Sequence, residues 1–247
     1  MKKFFEKIIR QKNHLQYSGP YKNWDEAKLK SVGYSSDVVL KKVNNAIKNV
    51  LDEKYAYERD GTNFADLPLQ NTLINTLKKI DLKNKTVLDI GGGLGSLYIN
   101  YKEIFFGNID RYIVLEQDNF CNRGNELATK YDLPIVFNEN IEEVDKFDIA
   151  IMSSSLQYFE EWHKFVEKLI SRFPKYVLID RHPLTDRKSE IFIQLNTNYY
   201  EEEVTYPIHI LNEKDFLAAF NGYEVIKSWN SDFDPQYFKG FLLKILD

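Results

Sequence analysis

Asp89-Ile-Gly-Gly-Gly-Leu-Gly95 carries the clearest chemical signature in the chain, a carboxylate followed by closely spaced glycines. Val87, Leu88 and Ile90 around it form the apolar, β-branched burst that a buried parallel strand requires. Gly91, Gly93 and Gly95, with Gly92 between them, let the backbone turn sharply and approach a ligand with no Cβ in the way. Leu94 to Phe105 can then open a helix whose first amides face that ligand. The dinucleotide fingerprint G-x-G-x-x-G would put its third glycine at position 96, where this chain has Ser96. The run is instead D-x-G-x-G-x-G. Strand, carboxylate, glycine loop and helix in this order predict a site for a nucleotide-like ligand. Asp89 would accept hydrogen bonds from it or orient the loop.

Further polar residues fall where later strands of the same sheet should end. Glu116, followed by Gln117, closes the run Arg111–Leu115, where a carboxylate can accept from two ribose hydroxyls at once. Asn138-Glu139-Asn140 follows the next strand. Glu139 or Asn140 could hold the exocyclic amine of a base, although turn formation accounts for the asparagines equally well. In Ser153-Ser-Ser-Leu-Gln-Tyr158, Ser153 permits close approach or caps a helix, and Gln157 and Tyr158 should point into the crevice. Asp180-Arg181-His182-Pro183 puts a carboxylate, a cation and a neutral base in one expected loop. His182 is the best-placed general base for a hydroxyl, ahead of Asp180 and His209.

These positions need a scaffold. Strands are expected at 86–90, 111–115, 135–137, 147–152 and 176–179, with helices at 69–80, 95–105, 119–131 and 159–172. Such alternation implies a doubly wound parallel sheet. A helix at 213–220 precedes strands at 223–229 and 238–245. Their short connection makes them antiparallel neighbours. The first 65 residues read as a helical cap. It has a basic helix carrying Phe4, Phe5, Ile8 and Ile9, a turn at Gly19-Pro20, and a helix near Trp24 to Leu29. A longer amphipathic helix, Val38 to Leu51, is followed by a turn at Gly61. The main domain would then span 66–247.

The 247 residues suffice for one large α/β domain plus this element. A net charge of −4 provides no general attraction to nucleic acid. The single cysteine, Cys121, excludes an intrachain disulfide and a thiolate zinc cluster, and the four histidines are not at metal-ligand spacing. No metal, no transmembrane span and a cytoplasmic setting are expected. Residues 1–11 offer peripheral membrane contact as a separate option.

Over nearly its whole length the chain resembles a group of class I methyltransferases commonly encoded near surface-polysaccharide genes. The resemblance rests on Gly19-Pro-Tyr-Lys-Asn-Trp24, Tyr57-Glu-Arg-Asp-Gly61, Val87 to Leu97, Ser154-Ser-Leu-Gln-Tyr158 and Asp180-Arg181. It implies a seven-stranded Rossmann-like sheet with an antiparallel terminal strand, and S-adenosylmethionine held by the Asp89–Gly95 loop and Glu116. It also places Arg59, Asp60, Gln157, Tyr158, Asp180 and Arg181 at the site. The expected reaction is methyl transfer to an oxygen of a sugar, a nucleotide-linked or a phosphate- or phosphoramidate-type precursor. Tyr21, Lys22, Arg59, Asp60 and His209 would bind that acceptor. A neutral hydroxyl would need a base, whereas an anionic acceptor would need cations from Lys22, Arg59, Arg181 and Arg187. The alternatives are a non-catalytic cofactor-binding accessory protein and an NAD-dependent oxidoreductase or epimerase.

Overall fold

Runs of apolar residues alternate with amphipathic helices along most of the chain, and the sheet follows from that alternation. The computed structural model describes residues 9–10, 15–33, 37–68, 71–196, 204–231 and 238–246. The chain begins with strands β1 (Ile9–Arg10) and β2 (Leu15–Tyr21), then helices α1 (Trp24–Leu29) and α2 (Asp37–Leu51). A hairpin of β3 (Tyr57–Arg59) and β4 (Thr62–Phe64) leads to α3 (Thr72–Leu77). Next come β5 (Thr86–Ile90), α4 (Ser96–Asn100), α5 (Lys102–Phe105), β6 (Arg111–Leu115), α6 (Asp118–Tyr131) and β7 (Ile135–Asn138). They are followed by β8 (Ile149–Ser153), α7 (Trp162–Ile170), β9 (Tyr176–Thr185), β10 (Glu190–Asn196) and β11 (Val204–Asn212). The last elements are α8 (Glu213–Ala218), β12 (Tyr223–Asn230) and β13 (Phe238–Ile245).

Seven strands form the expected doubly wound sheet in the order β7-β6-β5-β8-β9-β13-β12. Its first five strands are parallel, while β13 runs antiparallel between β9 and β12. Alternate side chains serve the two faces. Val87, Val114 and Ile151 enter one core, and Leu88, Ile113 and Met152 the other. Asp89 shares the face of Val87 by this alternation, beneath α2 and α4.

A second set of strands, absent from the expected alternation, adjoins this sheet. β9 does not stop at Ile179; it continues through Asp180-Arg181-His182-Pro183, which is strand rather than loop. β8 ends opposite Asp180, and beyond it Leu184 and Thr185 pair in parallel with Leu211 and Asn212 of β11. β11 pairs with β10, and β10 with β2, so the N-terminal segment extends the main sheet. The first 65 residues are therefore mixed rather than a helical cap. The expected turn at Gly19-Pro20 lies inside β2, at a bulge where the register with β10 shifts, a position where a strand tolerates proline. The expected N-terminal helix, with its membrane contact, falls largely outside the described residues; Ile9 and Arg10 within it pair with β2.

α2 buries Val39, Val43, Ala46 and Ile47, one helical stripe as its pattern requires. It packs on α4, α6 and the β3–β4 hairpin. Asn63 pins the hairpin there: its Nδ2 donates to the Ala46 carbonyl (2.8 Å), and its Oδ1 accepts from Asn49 (2.9 Å). The expected helix at 95–105 is two pieces, α4 and α5, separated at Tyr101. Among the described residues no helix is long and apolar enough to cross a membrane.

Candidate active site

The glycine loop turns at the carboxyl end of β5, as its residue types dictate. Gly91, Gly93 and Gly95 have φ of +71°, +60° and +83°, a region that side-chain-bearing residues avoid. A Cβ on Gly91 would lie 2.5 Å from that of Ser155, and one on Gly92 2.5 Å from Asp89 Oδ2. A Cβ on Gly93 would meet nothing within 4 Å, so that face of the loop is open. Gly95 starts α4 and packs towards Ile135 rather than lining a cavity.

Two adjoining cavities meet at this loop and share Gly91, Glu116, Ser154, Tyr158 and Tyr206. The first, about 330 Å³, holds Asp89, Gly91–Gly93, Ser153, Asp180, Arg181 and, from the hairpin, Glu58, Arg59 and Asp60. The second, about 660 Å³, is lined by Gln117, Glu139 and Asn140 with the apolar Leu115, Ile141 and Phe165. The site residues expected from the strand ends thus divide into two groups. Asn140 also caps the turn Ile141–Glu143, its side chain accepting from the Glu142 amide.

Several carboxylates here are held away from water. Asp89 is buried and accepts a 2.7 Å hydrogen bond from the Tyr112 hydroxyl; burial, reinforced by the nearby Glu116, pushes its pKa up to about 7. Glu116 is raised too, by burial, while the Gln117 amide supports its charge at 2.8 Å. Asp180 sits at the centre of a network. Its Oδ1 accepts from Trp229 Nε1 at 2.9 Å, and its Oδ2 lies 3.7 Å from Arg181 Nε. Arg181 also donates to the Ser153 hydroxyl, at 3.1 Å from its terminal nitrogen.

Arg181 reaches the cavity because of a β-bulge. Asp180 and Arg181 together oppose Gly240 on β13, and Arg181 adopts φ +54°. Gly240 has no alternative, since a Cβ there would overlap the Trp229 ring. On the hairpin, Asp60 (φ +51°) and Gly61 (φ +79°) form the two-residue loop between Arg59 and Thr62. Asp-Gly is the residue pair that a type I′ hairpin favours, a signal that the sequence reading took only as a turn. Arg59 Nε lies 3.7 Å from Asp60 Oδ2. Two cations and two carboxylates therefore converge from strands far apart in sequence. Against the effect of burial, Asp60 and Asp180 keep the Arg181 pKa raised.

Other expected residues lie elsewhere. His182 is 1% exposed and lines neither cavity. Its Nδ1 meets the Asp180 carbonyl at 3.1 Å, and its Nε2 accepts from the Leu156 amide at 3.2 Å. Both nitrogens are thus engaged, and burial lowers the pKa to about 4. His182 thereby links β9 to the turn after β8. His209 stacks on Trp24 with centroids 4.6 Å apart, outside both cavities. Tyr21 pairs with the Ser18 hydroxyl at 2.9 Å, and neither it nor the exposed Lys22 or Arg187 lines a cavity. Gln157 is buried, donates from Nε2 to the Ser154 hydroxyl at 2.9 Å, and lines neither cavity. Pleat and burial, rather than position at a strand end, decide these cases.

The unforeseen strands supply cavity residues that the sequence reading did not find. Gln194 and Asn196 of β10 donate to the Tyr206 hydroxyl of β11 at 2.9 and 2.6 Å, and Tyr158 donates to Gln194 Oε1 at 3.4 Å. All four line the first cavity, as does the buried Glu58. Polar residues at period two in a strand could have marked Gln194 and Asn196 as a pair on one face. Among the described residues no group of three His, Cys, Asp or Glu is placed to hold a metal ion.

No family model matches the chain, and no curated protein does. Solved structures do match at low identity. The methyltransferase CcbJ from Streptomyces caelestis superposes with a TM-score of 0.55 at 10% identity, over 83% of this chain and 98% of that one. The N-terminal domain of EvdMO1, solved with S-adenosylhomocysteine and D-fucose, gives 0.52 at 10%, over 83% and 97%. A SAM-dependent methyltransferase from Aquifex aeolicus gives 0.50 at 20%, over 70% and 89%. The chain spans about half, 54%, of the mitomycin 7-O-methyltransferase MmcR, with which it aligns at a TM-score of 0.48. The architecture of this chain is the Rossmann-like fold of the class I S-adenosylmethionine-dependent methyltransferases.

Proposed function

We propose that the protein is an enzyme that transfers a methyl group from S-adenosylmethionine to an oxygen of a small acceptor. The observation that carries this reading is the continuity of the two cavities across the glycine loop. One cavity offers Glu139 and Asn140 beside an apolar wall; the other offers two arginines and three aspartates. The residues fit the cofactor. The open face of Gly93 leaves room for a ligand against the backbone, and the buried Asp89 and half-buried Glu116 are carboxylates flanking that loop. Glu116 would hold the ribose, Glu139 and Asn140 the base, and Gly91–Gly93 the methionine portion. When bound, the cofactor supplies an already activated methyl group.

The chain's own part is then alignment and charge. Holding acceptor and donor at reacting distance can contribute on the order of 7 kcal/mol. Arg59 and Arg181 would hold an acceptor that already carries negative charge, an arrangement that needs no general base. Tyr158, Gln194, Asn196 and Tyr206 offer hydroxyl and amide groups for neighbouring hydroxyls. A sugar, nucleotide-linked or phosphate-type precursor of a surface polysaccharide, handled in the cytoplasm, suits this lining; the sequence resemblance supports that choice, and D-fucose accompanies the structurally similar EvdMO1 domain. Mass spectrometry of the purified protein tests the cofactor, with S-adenosylmethionine or S-adenosylhomocysteine the expected co-purified species. Isothermal calorimetry that shows no binding of either, or tighter binding of NAD, refutes the proposal.

A further inference from the structure

Glu58 is the one buried carboxylate in the first cavity that no role above uses. It lies at the middle of β3, flanked by the half-buried Tyr57 and Arg59, and is itself 1% exposed. Its backbone is clamped from α4: the amide donates to Asn100 Oδ1 at 3.0 Å, and Asn100 Nδ2 donates to its carbonyl at 2.7 Å. Its Oε1 accepts from the Gly61 amide at 2.6 Å. Its Oε2 is out of water and has no hydrogen bond of good geometry; the Ser96 side chain is near enough to favour its charged form but does not close on that oxygen. A buried carboxylate oxygen without a donor is costly, so the position calls for a ligand that supplies one.

The neighbours of Glu58 narrow the ligand. It shares the cavity with Gly91–Gly93, Ser96 and Asn100, so it stands on the α4 side of the glycine loop. Glu116 follows the end of β6 and lines both cavities, whereas Glu58 lines the first alone. A ligand whose ribose is held at Glu116 and which runs along the loop presents its far end to Glu58. With S-adenosylmethionine that far end is an amino acid, and its α-ammonium is a compact cation with N–H donors. The sulfonium has none and would leave Oε2 unpaired. Burial pushes the Glu58 pKa up to about 7, so a bound cation would stabilise its charged form.

From this geometry we infer that Glu58 is the carboxylate that binds the α-ammonium of the cofactor's methionine portion. The inference rests on the methyltransferase reading and adds to it an anchor outside the glycine motif, carried by the N-terminal hairpin. Its effect is to tie cofactor binding to the ordering of that hairpin, which also carries Arg59 and Asp60.

Calorimetry on the full chain tests this with S-adenosylhomocysteine, its analogue lacking the α-amino group, and 5′-methylthioadenosine, which lacks the whole amino acid. Native protein should bind the deaminated analogue about ten- to a hundredfold more weakly than S-adenosylhomocysteine, the worth of one charged hydrogen bond. Glu58→Gln should lose a similar factor for S-adenosylhomocysteine and none for 5′-methylthioadenosine, whose retained binding also reports that the variant is folded. Native protein that binds the deaminated analogue as tightly as S-adenosylhomocysteine overturns the role of Glu58 alone. The same conclusion follows if Glu58→Gln keeps full affinity for S-adenosylhomocysteine but loses methyl transfer, which would make Glu58 a base. Native protein that binds none of the three overturns the cofactor reading, and this inference with it.

Discussion

Replacing His182 with alanine should destabilise the protein and leave its cofactor affinity alone. The substitution strands the Leu156 amide, removes the partner of the Asp180 carbonyl, and opens space beside Phe216, whose ring lies 5.7 Å away by centroid. An unsatisfied buried amide costs about 1–3 kcal/mol, and the lost packing adds to it, so a loss of about 3–5 kcal/mol is expected near pH 7.5. The pH dependence is more diagnostic. Burial holds the folded pKa at about 4, below the unfolded value of about 6.5. Between those values the unfolded chain binds a proton that the folded chain does not, so this group lowers stability as the pH falls. At pH 5 the loss comes to about 2 kcal/mol relative to pH 7.5. His182→Ala cannot titrate, so the stability gap between native and variant should narrow by that amount on acidification. Asp89 and Glu58, with pKa values raised to about 7, act in the opposite sense, binding protons in the folded state first. They are present in both proteins and cancel in the difference. Urea denaturation at pH 5, 6 and 7.5, with calorimetry of S-adenosylhomocysteine at pH 7.5, measures all of this. A gap that does not change with pH, or a variant of native stability that no longer transfers methyl groups, refutes the structural role.

Glu116→Ala should weaken S-adenosylmethionine binding roughly ten- to a hundredfold, the cost of losing hydrogen bonds to a charged group, as read by calorimetry. Gly91→Ala should abolish that binding, because its Cβ would meet Ser155 and its φ is +71°. Gly222→Ala is the control: its φ of +85° is equally strained but its surroundings are open, so about 1 kcal/mol of stability and no affinity should be lost. Trp229 lines neither cavity, and Trp229→Phe removes its 2.9 Å bond to Asp180, which lines the first. Once an acceptor is found, it should lower kcat about tenfold with the cofactor Kd unchanged, and an equal loss of cofactor affinity would contradict its role as a positioning residue.

The elements legible in the sequence are those whose signals are local. β5 and β6 end where their apolar runs end, and α1 and α2 follow their period to within a residue. The glycine loop is legible because positive φ is a property of single residues, and three of them stand where only glycine is comfortable. Charge misleads at Asp180–Pro183. Four polar or imino residues read as a loop, yet they continue β9, because β13 pairs with them through Pro183 and a bulge absorbs the extra residue. Strands β10 and β11 carry no helical period to frame them and acquire their place only by pairing with β2 and the end of β9.

The site divides along the same line. Asp89, Gly91–Gly93 and Glu116 could be named from the chain because they lie in one βα unit and at the end of the adjacent strand. Arg59, Asp60, Asp180 and Arg181 share a cavity, whereas Tyr21, Lys22, His182 and His209 do not, although both groups sit in equally suggestive motifs. Which face a side chain takes depends on pleat, bulge and the partner strand. Arg181 turns into the cavity at its bulge, and the next residue, His182, turns into the core. The local sequence determines that strands, helices and a ligand-ready loop form. Long-range pairing decides which side chains face one another, because a shift of one residue in a strand exchanges its two faces.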